Sequence, residues 1–179
     1  YLIEDFEKSI KYFENIEQII RKELVLKYPL TKDSLSLIQK IKNCNSVSIH
    51  IRRGDYLAPK HASRFFSCGE EYYKEATRII KDKVENPVFF VFSDDLLFAQ
   101  TLPFPKNTVY VGENIKTEDF QELVLMSSCK HNITANSSFS WWGAWLNSNP
   151  GKIVITPKKW FNDSNLEPKD LIPKEWIKI

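Results

Sequence analysis

The sequence predicts an α/β protein with a parallel sheet flanked by helices, and two observations carry this prediction. Short apolar segments of strand length alternate along the chain with longer segments of helical periodicity, which is the pattern of βαβ units. One of the short segments, residues 88–92, is the unbroken apolar run Val-Phe-Phe-Val-Phe. Such a run is typical of a strand that helices cover on both faces.

The first 51 residues are predicted to hold two helices and a strand. Residues 4–26 carry apolar side chains at steps of three, four and seven, and they predict an amphipathic helix that ends before Pro29. Thr31 is expected to cap a second, shorter helix. Residues 47–51 alternate apolar and polar side chains at period two, which predicts the first strand.

The middle of the chain continues the alternation. Ser67 and Glu70 have the spacing of a capping box, which predicts a helix from there to about Val84. The buried strand 88–92 follows, then a helix that begins after Asp95. The next elements are predicted as strand 108–111, helix 117–130, strand 132–135, helix 139–147 and strand 152–156, with irregular Pro-rich chain at the end. Core packing is expected for the tryptophans of helix 139–147, rather than stacking on a sugar.

Composition excludes several classes of function. The formal net charge of the 179 residues is +2, whereas a nucleic-acid-binding domain usually has a concentrated basic face. No apolar run approaches the ~20 residues of a membrane span. Cys44, Cys68 and Cys129 lack the CxxC spacing of zinc sites and are odd in number, which argues against a disulfide framework. These features fit a cytoplasmic protein, including one held at the inner face of the membrane.

Polar clusters follow three of the predicted strands. In an open α/β sheet, ligands bind outside the carboxyl ends of the strands, so side chains from these clusters are expected to share one site. The candidate binding residues are His50, Arg52, Arg53, Asp94, Asp95, Asn136, Ser137 and Ser138. Each cluster also has a purely structural interpretation: an arginine pair bonded to Asp55, an acidic helix N-terminus, and a helix cap.

The chemistry of these clusters favours a phosphate ligand. A guanidinium fork matches phosphate oxygens, so Arg52 and Arg53 can hold an anion. Asn136, Ser137 and Ser138 lie between a strand and a helix, where backbone N–H groups and the helix dipole favour negative charge. No two aspartates are separated by a single residue, so the Asp-x-Asp metal clamp is missing. The charge of a leaving phosphate would then be balanced by arginines and backbone dipoles.

The motifs together resemble a known family. They are His-Ile-Arg-Arg-Gly-Asp-Tyr at residues 50–56, Val-Phe-Ser-Asp-Asp at 91–95, and the segment 125–145, which contains Asn-Ser-Ser-Phe-Ser-Trp-Trp-Gly. In this order and spacing they resemble the bacterial α-1,2-fucosyltransferases of glycosyltransferase family 11. The resemblance implies the Rossmann-like, GDP-fucose-binding C-terminal domain of a GT-B enzyme. The implied reaction is an inverting, metal-independent transfer of L-fucose from GDP-fucose to the 2-hydroxyl of a terminal galactoside.

The resemblance also implies roles for individual residues. Arg52 would bind the pyrophosphate, and His50 would lie near the guanosine. Ser137 and Ser138 would hold phosphate through backbone and hydroxyl groups. Glu122 stands where the family has an acidic residue that meets the guanine edge, with Asp119 as the alternative. The general base is not identified by the motifs, and Asp55 is the candidate.

The resemblance further implies a division of the chain. The family usually carries an acceptor half before the His-x-Arg-Arg motif, whereas 49 residues precede His50 here. We therefore expect a helical N-terminal segment, 1–46, and a nucleotide-sugar-binding domain, 47–179. The expected partners are the nucleotide sugar and a galactose-terminated oligosaccharide, with no resident cofactor. Two alternatives stay open: a catalytically silent GDP-fucose-binding module that needs a partner chain, and a fucosyltransferase of different linkage.

Overall fold

A computed structural model describes residues 14–113, 117–163 and 170–179, and it contains one parallel sheet of six strands. The strands are β1 (Asn45–Ile51), β2 (Pro87–Ser93), β3 (Val109–Tyr110), β4 (His131–Ile133), β5 (Val154–Thr156) and β6 (Ile177–Lys178). Their spatial order is β3-β2-β1-β4-β5-β6, and every neighbouring pair is parallel. This is the Rossmann order, in which the chain direction across the sheet reverses between β1 and β4. The predicted Rossmann-like α/β fold is confirmed.

Helices connect the strands and cover both faces of the sheet. They are α1 (Glu17–Glu23), α2 (Lys32–Lys42), α3 (Pro59–Ala62), α4 (Glu70–Lys83), α5 (Leu96–Thr101), α6 (Asp119–Ser128) and α7 (Ser138–Leu146). Two short 3₁₀ turns, Glu14–Ile16 and Asp55–Leu57, precede α1 and α3. The turn and α3 after β1 were not predicted, because elements of three and four residues are too short to show helical periodicity.

Strand β1 is buried along both faces, which its alternating sequence did not predict. Val47, Ile49 and Ile51 pack in the core cluster that α4 covers. Ser48 and His50 on the opposite face are also buried, at 1% and 5% exposure. The polar positions of the pattern therefore lie inside the protein, where the Ser48 hydroxyl accepts a hydrogen bond of 2.7 Å from an asparagine side chain of β4.

Helix α2 begins as predicted and is part of the main core. Thr31 Oγ1 accepts a hydrogen bond of 3.2 Å from the Ser34 N–H, which confirms the predicted cap. Leu37 and Ile41 of this helix pack in one cluster with Phe90 of β2 and with residues of α6. The proposed division of the chain at residues 46 and 47 stays a prediction.

Three predictions about element boundaries were wrong. Ser67 does not cap α4: Gly69 is the N-cap residue and no side chain caps the helix, while the buried Ser67 hydroxyl has no hydrogen-bond partner among the described residues. The C-terminal chain is not wholly irregular, because β6 adds an edge strand beside β5. Helix α1 ends at Glu23, within the predicted helix 4–26, of which residues 1–13 lie outside the described residues.

The tryptophans of α7 belong to the core, as predicted. Trp141 is fully buried and Trp145 is 4% exposed, and both pack against Trp160 and Trp176 from the C-terminal part of the chain. Lys152 closes the end of this helix by donating hydrogen bonds to its last carbonyl groups. The cluster therefore fixes α7, whose first turn faces the carboxyl edge of the sheet.

None of the helices in the described part of the chain is long and apolar enough to cross a membrane.

Candidate functional site

A cavity of about 440 Å³ opens at the carboxyl edge of the sheet, beside the point where the strand order reverses. Ligand sites of Rossmann-like proteins are found at this position, because the loops after β1 and β4 run in opposite directions there. Seven of the ten predicted site residues line the cavity: His50, Arg52, Asp55, Asp94, Glu122, Ser137 and Ser138. They come from β1, β2, α6 and α7, so the fold joins segments that are up to 88 residues apart in the sequence.

Arg52 is the cationic side chain of the cavity, and two carboxylates hold it. Its guanidinium donates a hydrogen bond of 2.8 Å to Asp55 Oδ2, and a second nitrogen lies 3.3 Å from Asp94 Oδ2. The side chain is 36% exposed, so its charge faces the open cavity as well as the carboxylates. A phosphate group can therefore reach a guanidinium that is already oriented.

Asp94 fixes the turn that follows β1. Its two carboxylate oxygens accept backbone N–H groups from Arg53 and Gly54, at 2.9 and 3.1 Å. A Cβ atom on Gly54 would lie 3.2 Å from Asp94 Oδ2, so glycine permits this close approach. Because β1 and β2 are paired with Ile51 opposite Ser93, the turn and the carboxylate are neighbours at the sheet edge.

His50 is a buried, neutral polar group at the wall of the cavity. Burial, and then the charge of Arg52, lower the pKa of its imidazole to about 3. Its ring packs against Phe139 of α7, with 5.5 Å between the ring centroids. Its Nδ1 atom has no hydrogen-bond partner among the described residues. A buried polar atom without a partner is costly, so a ligand that bonds to it is favoured.

The first turn of α7 provides a second anion-binding element. Ser137 is the N-cap residue in extended conformation, and its side chain makes no capping hydrogen bond. Ser138 is the first residue of the nine-residue helix. The N–H groups at a helix start lack partners within the helix and carry partial positive charge. Because this turn and Arg52 line the same cavity, both can contact one phosphate group.

Glu122 lies in the first turn of α6, together with Asp119, and both line the cavity. Burial raises the pKa of the Glu122 carboxyl, and the nearby Asp119 acts in the same direction. Thr117 opposes this shift by donating a hydrogen bond of 2.7 Å to Glu122 Oε1. A half-buried carboxylate of this kind is an acceptor for N–H groups of a bound ring.

Three of the predicted binding residues have structural contacts instead of lining the cavity. Arg53 lies 3.4 Å from Asp95 and its guanidinium stacks 3.9 Å above the Phe98 ring. Asp95 caps α5 by accepting the Phe98 N–H at 3.0 Å. Asn136 is 2% exposed and donates from its amide to backbone carbonyls, that of Trp160 at 2.9 Å. These residues hold the loops that carry the cavity side chains.

Sequence reasoning missed an aromatic wall of the cavity, formed by Tyr56, His61 and Phe65. Tyr56 and Phe65 are stacked, with 4.9 Å between their centroids, and His61 lies 6.1 Å from Phe65. Tyr56 belongs to the first motif and could have been considered. His61 and Phe65 lie in a segment without periodicity, and nothing in their spacing indicates that they reach the site.

No cluster of three or more His, Cys, Asp or Glu side chains suited to a metal ion occurs in the described ranges. The contacts of the cavity carboxylates are to Arg52, to backbone N–H groups and to Thr117.

Comparison with known proteins places the chain in a family. The model of glycosyl transferase family 11 matches residues 3–179. The chain belongs to glycosyltransferase family 11. Two relatives from Escherichia coli are an O-antigen biosynthesis glycosyltransferase, WbnK, which is 41% identical over 82% of the chain, and an alpha-1,2-colitosyltransferase, 36% identical over 97%. The galactoside alpha-(1,2)-fucosyltransferase 1 of Aotus azarae is 25% identical over 97% of the chain.

The chain spans 49%, 61% and 51% of the lengths of these three relatives. Among solved structures, the beta Kdo 2,4 transferase KpsC of Thermosulfurimonas dismutans is similar over 85% of this chain and 45% of that one, with a TM-score of 0.43 and 12% identity.

Proposed function

We propose that this family 11 chain binds GDP-fucose in the cavity at the carboxyl edge of the sheet. It would serve as the donor-binding half of an enzyme that transfers L-fucose to the 2-hydroxyl of a terminal galactoside. Family membership supports glycosyl transfer from a nucleotide sugar to an oligosaccharide. The alpha-(1,2)-fucosyltransferase relative, matched over 97% of the chain, supports the finer assignment.

One observation carries the proposal. The cavity at the reversal of strand order contains an oriented guanidinium, a helix N-terminus and a half-buried carboxylate, from three separate segments of the chain. A nucleoside diphosphate needs these groups: cationic and N–H donors for its phosphates, and an acceptor for the edge of guanine. The volume of about 440 Å³ lies within the usual range for ligand sites.

The proposed placement of the donor follows from these groups. The pyrophosphate lies between Arg52 and the first turn of α7 at Ser137 and Ser138. Guanine points toward Glu122, whose carboxylate accepts hydrogen bonds from the N–H groups of the base. The guanosine lies near the Nδ1 atom of His50. This assignment uses the neutral state of His50, because an imidazole that is uncharged can share hydrogen bonds with a ribose or a base without repelling Arg52.

The proposed reaction is a displacement at the anomeric carbon of fucose. The acceptor oxygen forms the new bond as the bond to the β-phosphate oxygen breaks, so the configuration inverts and GDP leaves with the electron pair. Arg52 and the α7 turn stabilise the charge that develops on GDP. Asp55 is the proposed acceptor of the hydroxyl proton, although one of its oxygens is bonded to Arg52 at 2.8 Å.

A second donor is favoured by one specific observation. The relative at 36% identity is an alpha-1,2-colitosyltransferase, whereas the fucosyltransferase is 25% identical. Colitose is fucose without its 3-hydroxyl group, so GDP-colitose carries the same nucleotide and fits the same phosphate and guanine contacts. The two donors differ at the sugar end of the cavity alone.

Transfer assays with the purified chain test the proposal. Labelled GDP-fucose and GDP-colitose are each incubated with lactose, and the linkage of any product is determined. A 1,2-linked fucosyl product supports the proposal, a colitosyl product moves it to the second donor, and another linkage contradicts the 2-hydroxyl assignment. GDP binding without transfer would identify a binding module that needs a partner chain. Absence of GDP binding would refute the proposal altogether.

A further inference from the structure

The aromatic wall of the cavity, formed by Tyr56, His61 and Phe65, has no place in the phosphate and guanine contacts. It contributes apolar surface near Arg52, whose ion-pair partners are the carboxylates Asp55 and Asp94. An apolar wall beside a phosphate site needs a ligand group that is itself apolar.

Ring contacts place the aromatic wall beside Arg52 and a separate ring, Phe139, beside His50. The ring of Phe139 lies 5.5 Å from His50 and packs against the core cluster that contains residues of α6. The Arg52 guanidinium lies 5.9 Å from the Tyr56 ring, and Tyr56 is stacked on Phe65 at 4.9 Å. The wall therefore adjoins the phosphate-binding Arg52, whereas Phe139 packs toward α6, the helix that carries Glu122.

Covalent order in a nucleotide sugar matches this arrangement. The base is joined through ribose to the two phosphates, and the sugar is joined to the far phosphate. With guanine at Glu122 and the phosphates at Arg52, the sugar reaches Tyr56 and Phe65. This placement of the sugar rests on the proposed function, and it concerns the sugar rather than the nucleotide.

The wall is held in position by backbone contacts from both sides. The Tyr56 hydroxyl donates a hydrogen bond of 3.1 Å to the carbonyl oxygen of Asn136, next to the α7 turn. Phe65 pairs with Phe161 in an antiparallel bridge, and its carbonyl accepts a bond of 2.9 Å from Asn162. A surface fixed in this way is preorganised for a ligand. It also means that a change of the Phe65 side chain leaves the backbone contacts intact.

We propose that Tyr56 and Phe65 form the subsite for the sugar of the donor and select a 6-deoxyhexose by packing against its C5-methyl group. Removing a methyl group from water lowers the free energy of the complex. A hydroxymethyl group at the same place would bury its hydroxyl against aromatic carbon without a hydrogen-bond partner. The wall thus distinguishes 6-deoxy sugars from their 6-hydroxy counterparts.

The test uses a matched pair of donors, GDP-L-fucose and GDP-L-galactose, which differ by one hydroxyl on C6. Calorimetry with the native chain should show a preference of about fivefold or more for GDP-L-fucose, the lower end of the cost of burying a hydroxyl group without a partner. Phe65→Ala should bring the ratio close to one while affinity for GDP itself changes little. Phe120→Ala, which removes an exposed ring outside this cavity, is the control and should keep the native ratio.

Binding of GDP itself distinguishes failure of the sugar subsite from failure of the proposed function, and it also shows whether each variant is folded. GDP binding with equal affinity for the two donors in the native chain would overturn the subsite, and so would a preference that survives Phe65→Ala. Phe65→Gln, which replaces the ring by a polar side chain that is larger than alanine, gives a second reading if the alanine variant is unfolded, and it should also lose the preference. A native chain that does not bind GDP would overturn the proposed function and the subsite together.

Discussion

Asp94 Oδ2, at the end of β2, lies 3.3 Å from a guanidinium nitrogen of Arg52, at the end of β1. The same carboxylate accepts the N–H groups of Arg53 and Gly54. One side chain therefore orients the cation of the cavity and fixes the turn that carries it. This relationship makes Asp94 a positioning residue in our account, which differs from the direct contact with substrate that its place in the sequence suggested.

Asp94→Asn should destabilise the protein and weaken GDP binding together. An amide offers one acceptor oxygen, so one of the two backbone N–H groups would face an NH₂ group and lose its partner. We expect a loss of about 1–3 kcal/mol in the free energy of unfolding, measured with urea. Asp82→Asn, which breaks an exposed pair with Arg78, is the control and should cost at most about 1 kcal/mol. Equal effects of the two changes would contradict the positioning role.

The lowered pKa of His50 predicts that the protein loses stability in acid. Its pKa is about 3 in the folded chain against an ordinary value of 6.5, so the unfolded chain binds the proton more readily. The stability from this group is present above pH 6.5 and is lost as pH falls toward 3, by about 1.4 kcal/mol per pH unit. His50→Gln should therefore show a shallower fall of unfolding free energy between these values. His61→Gln, which replaces another histidine of the cavity, is the control. If its unfolding free energy fell with pH as gently as that of His50→Gln, the assignment of the acid sensitivity to His50 would be contradicted.

We expect Glu122 to recognise the guanine base independently of the phosphates. Glu122→Gln should weaken GDP binding by about 10- to 100-fold and barely change binding of ADP or pyrophosphate, since a hydrogen bond to a charged group is lost. Glu70→Gln, in the first turn of α4 and outside the cavity, should change none of the three affinities. Equal losses for GDP and ADP would move the guanine contact to Asp119.

The same carboxyl gives a pH dependence with a definite sign. The pKa of Glu122 is raised above 4.5 by burial, and guanine binding uses the ionised form. The affinity ratio of GDP to ADP should thus increase as pH rises through the raised pKa and level off above it. In Glu122→Gln the ratio should be independent of pH, and a ratio that still rises with pH would indicate that another group titrates.

Donor binding is expected to be independent of divalent metal. The chain has no Asp-x-Asp pair, and in the account above Arg52 and the α7 turn balance the phosphate charge. GDP affinity should be unchanged in excess EDTA, measured by calorimetry. A loss that magnesium or manganese restores would show that a metal shares the phosphate site.

The fold was predictable because its signals are local. The apolar run of β2 and the cap at Thr31 depend on neighbouring residues, and both were confirmed. The position of the cavity was predictable because it lies at the carboxyl ends of the strands. The carboxylate of Asp94 bonds to a backbone 40 residues away, and Phe65 reaches the site through a bridge to Phe161. Such contacts depend on how distant loops fold, which no spacing along the chain encodes.

The residues that departed from expectation show the same limit. Arg53 and Arg52 are adjacent, yet one stacks on Phe98 and the other lines the cavity, because consecutive side chains after a strand point in opposite directions. The residues alone left both guanidiniums as anion-binding candidates, and only the family resemblance singled out Arg52. β6 has two residues, which is too short for an alternation pattern.

Calorimetric titration of GDP and guanosine into the native chain and into Arg52→Ala tests the central claim most directly. If the cavity holds a guanosine diphosphate through Arg52, the native chain binds GDP and the variant binds it about 10- to 100-fold more weakly, with guanosine affinity unchanged. Arg52→Lys should recover part of the loss, because an ammonium keeps the charge without the fork. A folded Arg52→Ala variant that binds GDP as tightly as the native chain would contradict the account.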